Sequence, residues 1–336
     1  MGRGWFGRAM PAATRGTAAV SVGTISISGT VTIGGTLTSS LGGTWSPSPT
    51  YQWQRGATWD GGGSWSNIGS ATGSTYSPVQ ADIGFSLRCV ATNSGDSANS
   101  NTLIYDPTTV SAVFEVFKIR TLSAGSLSTL TGAKGAITLS QGTGSKQPVV
   151  GATSFNSTVG LTFDGTDDYM SGAANFSSLG AVRIVAGMLD TSTAASIFLE
   201  HTSIILNAHA FTVAINAEGA GLVSAYASSG ASAYGSKHAS ETLASACYMS
   251  FCADTSITTG CQFIRKNGSA LSLTTDNSGC TPAANFANDT LYLGERGGVT
   301  APWAGTIGGA LMILSGTAED SDLSDAEAYV KNGGNL

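Results

Sequence analysis

Apolar residues in this chain recur at alternate positions in short runs, and glycine or hydroxyl residues end each run. Ile25 and Ile27 are followed by Val31 and Ile33 and then by Leu37, with Gly or Ser-Gly between them. Side chains alternate faces along a strand, so each run buries one face of a sheet, and the close spacing of the runs is that of a β-sandwich. Tyr51-Gln52-Trp53-Gln54 puts both aromatics on one face. Phe85, Leu87, Cys89 and Ala91 likewise share a face, with Arg88 opposite. Composition agrees: of 336 residues 45 are Gly and only 11% are charged, a balance that favours turns and strands over helix interiors. One helix is expected, at the end, where Leu323, Ala326 and Val330 recur at helical spacing. Ser324 with Glu327 fits a capping box, and Asn332-Gly333-Gly334 stops the helix. The expected class is all-β with a short C-terminal helix.

A length of 336 residues suggests about two domains, and Asp106-Pro107 is the natural boundary, because proline restricts the residue before it and sits at turns. No run of about 18 apolar residues is present, which argues against a membrane span. The net charge of −6 argues against a general nucleic-acid binder. Charge is unevenly placed, however: no Asp or Glu precedes Asp60, while Arg3, Arg8, Arg15 and Arg55 do. In the opening segment Trp5, Phe6 and Met10 lie between arginines, and Arg8 and Pro11 interrupt the apolar core that a secretory signal requires. That segment reads either as a frayed end or as an arm that anchors the chain in an assembly through Arg3, Trp5, Phe6 and Arg8. The five cysteines are too few for a disulfide scaffold and lack zinc spacing.

Two resemblances follow from longer motifs. Trp53, the Trp65 to Ile68 piece, Ala71-Thr72, Thr75-Tyr76 and Asp82-x-Gly84-x-x-Leu87-Arg88-Cys89-x-Ala91-x-Asn93 are similar to bacterial and phage immunoglobulin-like domains. The resemblance implies a sandwich over 18–107 with Trp53 in its core, preceded by the basic arm 1–17. Gly35 to Leu41 holds no cysteine, so Cys89 is expected as a small buried hydrophobe. Further on, Gln147-Pro148, Phe163-Asp164-Gly165-x-Asp167-Asp168-Tyr169, Phe263 to Gly268, Leu293-Gly294, Trp303-x-Gly305-x-Ile307 and Leu323 to Glu327 resemble the concanavalin A-like lectin/glucanase fold in its laminin-G-like form. This implies a jelly-roll sandwich over 108–336.

Candidate sites are few. Asp164, Asp167 and Asp168 offer carboxylate oxygens of the kind calcium takes, or else Asp164-Gly165 simply makes the turn and the others are solvated. Calcium is the only cofactor in view. Tyr226, Tyr234 and Trp303 are rings available to stack on a pyranose, with His238 as a polar contact. Cys252 and Cys261 flank a short loop that a disulfide would close. The Glu-x-Asp-x-x-Glu pattern common in glucanases of this fold is absent, and no Gly-x-Ser-x-Gly elbow occurs, so no catalytic residue is assigned and a non-enzymatic protein is expected. An immunoglobulin-like module before a lectin-like one, without an evident export signal, is an arrangement familiar from phage particles. The expectation is a bacteriophage structural protein (head decoration, neck or collar, or fibre), made in the host cytoplasm and carried on the virion. Its partners would be other virion proteins, further copies of itself and host-surface polysaccharide. A secreted carbohydrate-binding adhesin is the alternative, and a glycan hydrolase the third reading.

Overall fold

The computed structural model describes residues 23–94, 96–201, 209–230, 233–281, 285–295, 301–316 and 320–336. The arm residues Arg3, Trp5, Phe6 and Arg8 lie outside the described residues. The described chain is all-β apart from short 3-10 turns and one α-helix, Asp320–Gly333. Among the described residues no helix is long and apolar enough to cross a membrane.

The first sandwich packs a three-stranded sheet on a four-stranded one. The former holds Thr24–Ser28, Leu37–Gly42 and Thr75–Tyr76; the latter runs Trp65–Asn67, Thr50–Trp59, Phe85–Asn93, Asp96–Asn99. The alternation seen in the sequence is the alternation of burial, with Ile25 and Ile27 inward and their neighbours exposed. Trp53 is fully buried opposite Cys89 in antiparallel register. Its ring stacks on Tyr76 at 5.5 Å, and its indole N–H donates to the Gly73 carbonyl at 3.0 Å. Cys89 is a free, buried thiol whose pKa burial pushes up to about 11. Asp82, fully buried, accepts hydrogen bonds from Arg55, the Tyr76 hydroxyl and the Val79 N–H.

The second sandwich packs two large antiparallel sheets. The front sheet runs Thr129–Thr131, Thr138–Ser140, Met170–Asn175, Asn288–Leu293, Ser196–His201, Ala210–Ile215, Leu222–Gly230, Ala233–Ser240, Thr274–Ser278. The back sheet runs Ser269–Ala270, Cys261–Lys266, Cys247–Asp254, Ala181–Asp190, Ala304–Ser315, Thr158–Asp164, Val149–Phe155, Gly125–Ser126, with Val113–Phe117 also on Ala304–Ser315. Phe211 and Val213 in front meet Ile184, Phe251 and Ile313 behind in a single core.

The central strand Ala304–Ser315 is buried almost without a break. Antiparallel sheets usually leave one face to water, but here both are covered. Ile307, Leu311 and Ile313 join the core between the sheets, while Ala310, Met312 and Leu314 join a second core with the C-terminal helix and the first sandwich. Gly309 adopts φ +67, and a Cβ there would stand 2.5 Å from the Val330 carbonyl. A side chain would push the helix off the sheet.

The helix begins at Asp320, earlier than the expected capping box. Ser324 therefore sits inside it and donates back to the Asp320 carbonyl at 2.9 Å. Asp320 and Asp322 occupy the first turn, where carboxylates suit the helix dipole. Glu327 instead faces the back sheet, accepting from Ser250 at 2.7 Å beside Arg265 at 3.4 Å. On its other side the helix carries the first sandwich: Trp59 lies 4.6 Å from the Tyr329 ring and donates its indole N–H to the Tyr329 carbonyl. Asn332 donates to the Gln80 and Ile83 carbonyls, and Asp325 accepts from the Ile33 N–H at 2.9 Å.

Candidate functional site

Trp303 does not face a ligand. It is fully buried, packs against Phe163 and Phe198, and donates its indole N–H to Asp190 Oδ1 at 2.8 Å. The expectation of a stacking ring at this position is corrected. Tyr226, Tyr234 and His238 do share the outer face of the front sheet, since Tyr226 pairs with Ser236, Ser228 with Tyr234 and Ser224 with His238. Tyr226 is only 5% exposed, its hydroxyl donates to Glu218, and its ring packs on Ile197 and Ala214. His238 and Asp276 are 2.6 Å apart. The aromatic face is thus largely closed by its own packing.

Cys252 and Cys261 are free thiols, which corrects the expected disulfide. Cys261 pairs with Ala253 and faces the core between the sheets, whereas Cys252, one residue earlier, has the opposite parity. Burial pushes both thiols up to about 12.

The acidic trio is a real cluster: ligand oxygens of Asp164, Asp167 and Asp168 all lie within 4.8 Å of one another. Part of its capacity shapes the turn. Asp164 Oδ1 accepts from the Thr166 and Asp167 N–H groups, and Asp168 Oδ2 from the Asp164 N–H. Burial, backed by the neighbouring Asp164 and Asp167, raises the Asp168 pKa above the usual carboxylate range.

The arrangement that sequence reasoning missed is a cleft of about 430 Å³ where three loops meet at one end of the second sandwich, lined by Asp190, Ser192, Asn216, Glu241 and Thr242 among others. The loops follow the strands Ala181–Asp190, Ala210–Ile215 and Ala233–Ser240. Asp190 Oδ1 accepts from Trp303, from the Ser192 N–H and from the Ser192 hydroxyl at 2.6 Å. Asn216, at φ +57, accepts from the Gly221 N–H at 2.7 Å and donates to the Ser192 carbonyl at 3.2 Å. The Glu241 N–H donates to Gly221, and the Asp190 N–H to Leu243, closing the ring of loops. Lys266 donates to Glu241 Oε1 at 2.7 Å. Among the described residues every such bond to Asp190 and Glu241 ends on one carboxylate oxygen, leaving Asp190 Oδ2 and Glu241 Oε2 without a protein donor. Its volume falls in the range of about 300–1,000 Å³ usual for small-ligand sites.

No protein-family model matches the chain, and no curated protein is similar to it in sequence. Solved structures do resemble it. A Trypanosoma rangeli sialidase in complex with a difluorosialic acid is 9% identical, with 73% of this chain and 35% of that chain covered at a TM-score of 0.42. The CBM40 of a Ruminococcus gnavus IT-sialidase, bound to α2,3-sialyllactose, is 16% identical, with coverage of 49% and 94% and a TM-score of 0.35. A heptameric SAP-like pentraxin from Limulus polyphemus is 13% identical, with coverage of 49% and 79% and a TM-score of 0.35. The chain spans about a third of the length of that sialidase. The described architecture is all-β, a large sandwich of two antiparallel sheets preceded by a smaller one. The expectation of a non-enzymatic protein is not carried forward: solved sialidases stand among the structures that resemble the chain.

Proposed function

We propose that this protein binds glycans, and that the three-loop cleft is where it does so. The observation that carries the reading is the pair of carboxylates Asp190 and Glu241, each with its hydrogen bonds on one oxygen, in a cleft whose loops Asn216 and Trp303 tie together. Carboxylates accept hydrogen bonds from vicinal hydroxyls, and rigid walls spare the ordering cost of binding. With two carboxylates and, among the described residues, only Lys266 against them, the cleft repels anions, so its ligand is a neutral saccharide.

A second reading rests on the same two groups. Carboxylates on facing walls of a cleft are the machinery of glycoside hydrolysis when about 5–9 Å apart. Incubating a bound oligosaccharide with the protein and looking for shortened products separates binding from cleavage. The setting we infer is the surface of a phage particle, where the arm with Arg3, Trp5, Phe6 and Arg8 fastens the chain. Deleting residues 1–16 is then expected to abolish incorporation into particles, and undiminished occupancy would remove the anchor.

A further inference from the structure

The loop 216–221 joins Ala210–Ile215 to Leu222–Gly230 in the front sheet, and its two sides face different things. One side, with Asn216, Ala220 and Gly221, lines the three-loop cleft. The other carries Glu218, which turns back toward the outer face of the sheet and accepts a hydrogen bond from the Tyr226 hydroxyl. Tyr226 stands about 13 Å along the strand from Leu222, at about 3.3 Å per residue. That gap is bridged only because loop and ring lean toward each other. Ser224 lies between them on the same face and is fully buried, as a roof over it requires.

The loop does not hold itself. Asn216, Gly219 and Gly221 have φ of +57, +145 and +74, so the chain leaves the regular ladder here. Its backbone bonds close only its ends, with the Asn216 N–H donating to the Leu222 carbonyl at 2.7 Å and the Leu222 N–H to Gly219 at 3.2 Å. Among the described residues, Tyr226 supplies the one side-chain hydrogen bond that reaches the tip of this loop from the body of the sandwich. Its ring is anchored on Ile197 and Ala214 and is 5% exposed. Burial, and then the bond to Glu218, raises the Tyr226 pKa, so the hydroxyl stays a donor. A donor facing a carboxylate makes one of the stronger hydrogen bonds.

We propose that Tyr226 is a positioning residue for the three-loop cleft: through Glu218 it latches loop 216–221, so that Asn216 and Gly221 meet the ligand already in place. The inference rests on the glycan-binding reading of that cleft. The neighbouring wall depends on the same loop, since the Gly221 N–H donates to Asn216 Oδ1 at 2.7 Å and the Gly221 carbonyl accepts from the Glu241 N–H at 2.8 Å. Glu241 is one of the two cleft carboxylates. A loop that samples other placements is competent for only a fraction of the time, and apparent affinity falls by that fraction. Tyr226, expected from the sequence as a ring stacked on sugar, thus acts on the ligand through the loop and without touching it.

The test combines amide hydrogen exchange on the ligand-free full chain with titration of the neutral oligosaccharide that the native protein retains best on a glycan array. Tyr226→Phe and Glu218→Ala are each expected to speed exchange at the Gly221 and Glu241 amides at least about fivefold and to weaken the oligosaccharide by a similar factor. Exchange at Phe251, in the core of the back sheet, is expected to stay as it was. Glu218→Gln keeps an acceptor oxygen and is expected to retain slow exchange and most of the affinity. The double variant is expected to be no worse than either single one, because both remove the same bond. Unchanged exchange at Gly221 and Glu241 in both single variants would overturn the proposal. So would equal acceleration at Phe251, which marks general loosening, or faster loop exchange with unchanged affinity. A native protein that retains no neutral sugar would remove the glycan reading instead, and exchange at Gly221 and Glu241 would still decide whether Tyr226 holds the loop.

Discussion

Glu115 shows how much one buried side chain can organise. It is fully buried, and its two oxygens accept four backbone N–H groups, from Val116, Lys134, Ala136 and Ile137, at 2.8–2.9 Å. Gly132 passes so close that a Cβ there would stand 2.1 Å from the carboxyl carbon. Glu115→Gln replaces one acceptor by a donor that faces N–H groups. Each donor left unpaired costs about 1–3 kcal/mol, so urea unfolding is expected to show a loss of at least about 2 kcal/mol. A loss within error would mean the turn relaxes around glutamine. Nothing local in Val113 to Phe117 announces this role, because three of its four partners, Lys134, Ala136 and Ile137, lie on a later turn. Trp303 misleads in the opposite way. Flanked by Pro302 and Gly305, it looks like a loop ring, yet it fills the core and holds Asp190.

At the scale of elements, the C-terminal helix is the joint between the sandwiches, and its Asp325 reports on it. Burial raises the Asp325 pKa from 3.8 to about 6, with the Ile33 N–H opposing and Asp322 adding to the rise. A raised folded-state pKa favours the protonated form, so this contribution to stability is full below about pH 4 and is lost as pH rises through about 6. His201, fully buried against Phe176 and Phe211 with its pKa lowered to about 4, acts with the opposite sign over the same range. Comparison with Asp325→Asn cancels the histidine. The stability of the native protein relative to that variant is expected to fall between about pH 4 and about pH 7, measured by urea unfolding at both. A constant difference would show that Asp325 does not titrate there. The helix itself was legible from its periodicity, but its start was not: the capping-box pattern at Ser324 and Glu327 is local, and Glu327 is taken by Ser250 and Arg265 on a distant strand.

At the scale of the molecule, strand alternation made the two sandwiches legible, and Trp53 and Cys89 stand where the sequence placed them. The joint was not legible. The unbroken apolar run in Ala304–Ser315 encodes a sheet covered on both faces, and periodicity does not say what covers the second one. The cleft was not legible either. Asp190, Asn216 and Glu241 are widely separated in the chain and individually ordinary, and only the closing of the sandwich brings their loops together.

The most direct test of the glycan-binding account is an array of neutral and sialylated oligosaccharides probed with the full chain, followed by titration of the best ligand into the protein and its Asn216→Ala and Glu241→Gln variants. The account predicts retention of neutral sugars over sialylated ones and a loss of at least about fivefold in each variant, from about 1–3 kcal/mol of lost hydrogen bonding. Retention of sialylated sugars alone, or a neutral ligand bound equally well by both variants, would contradict it.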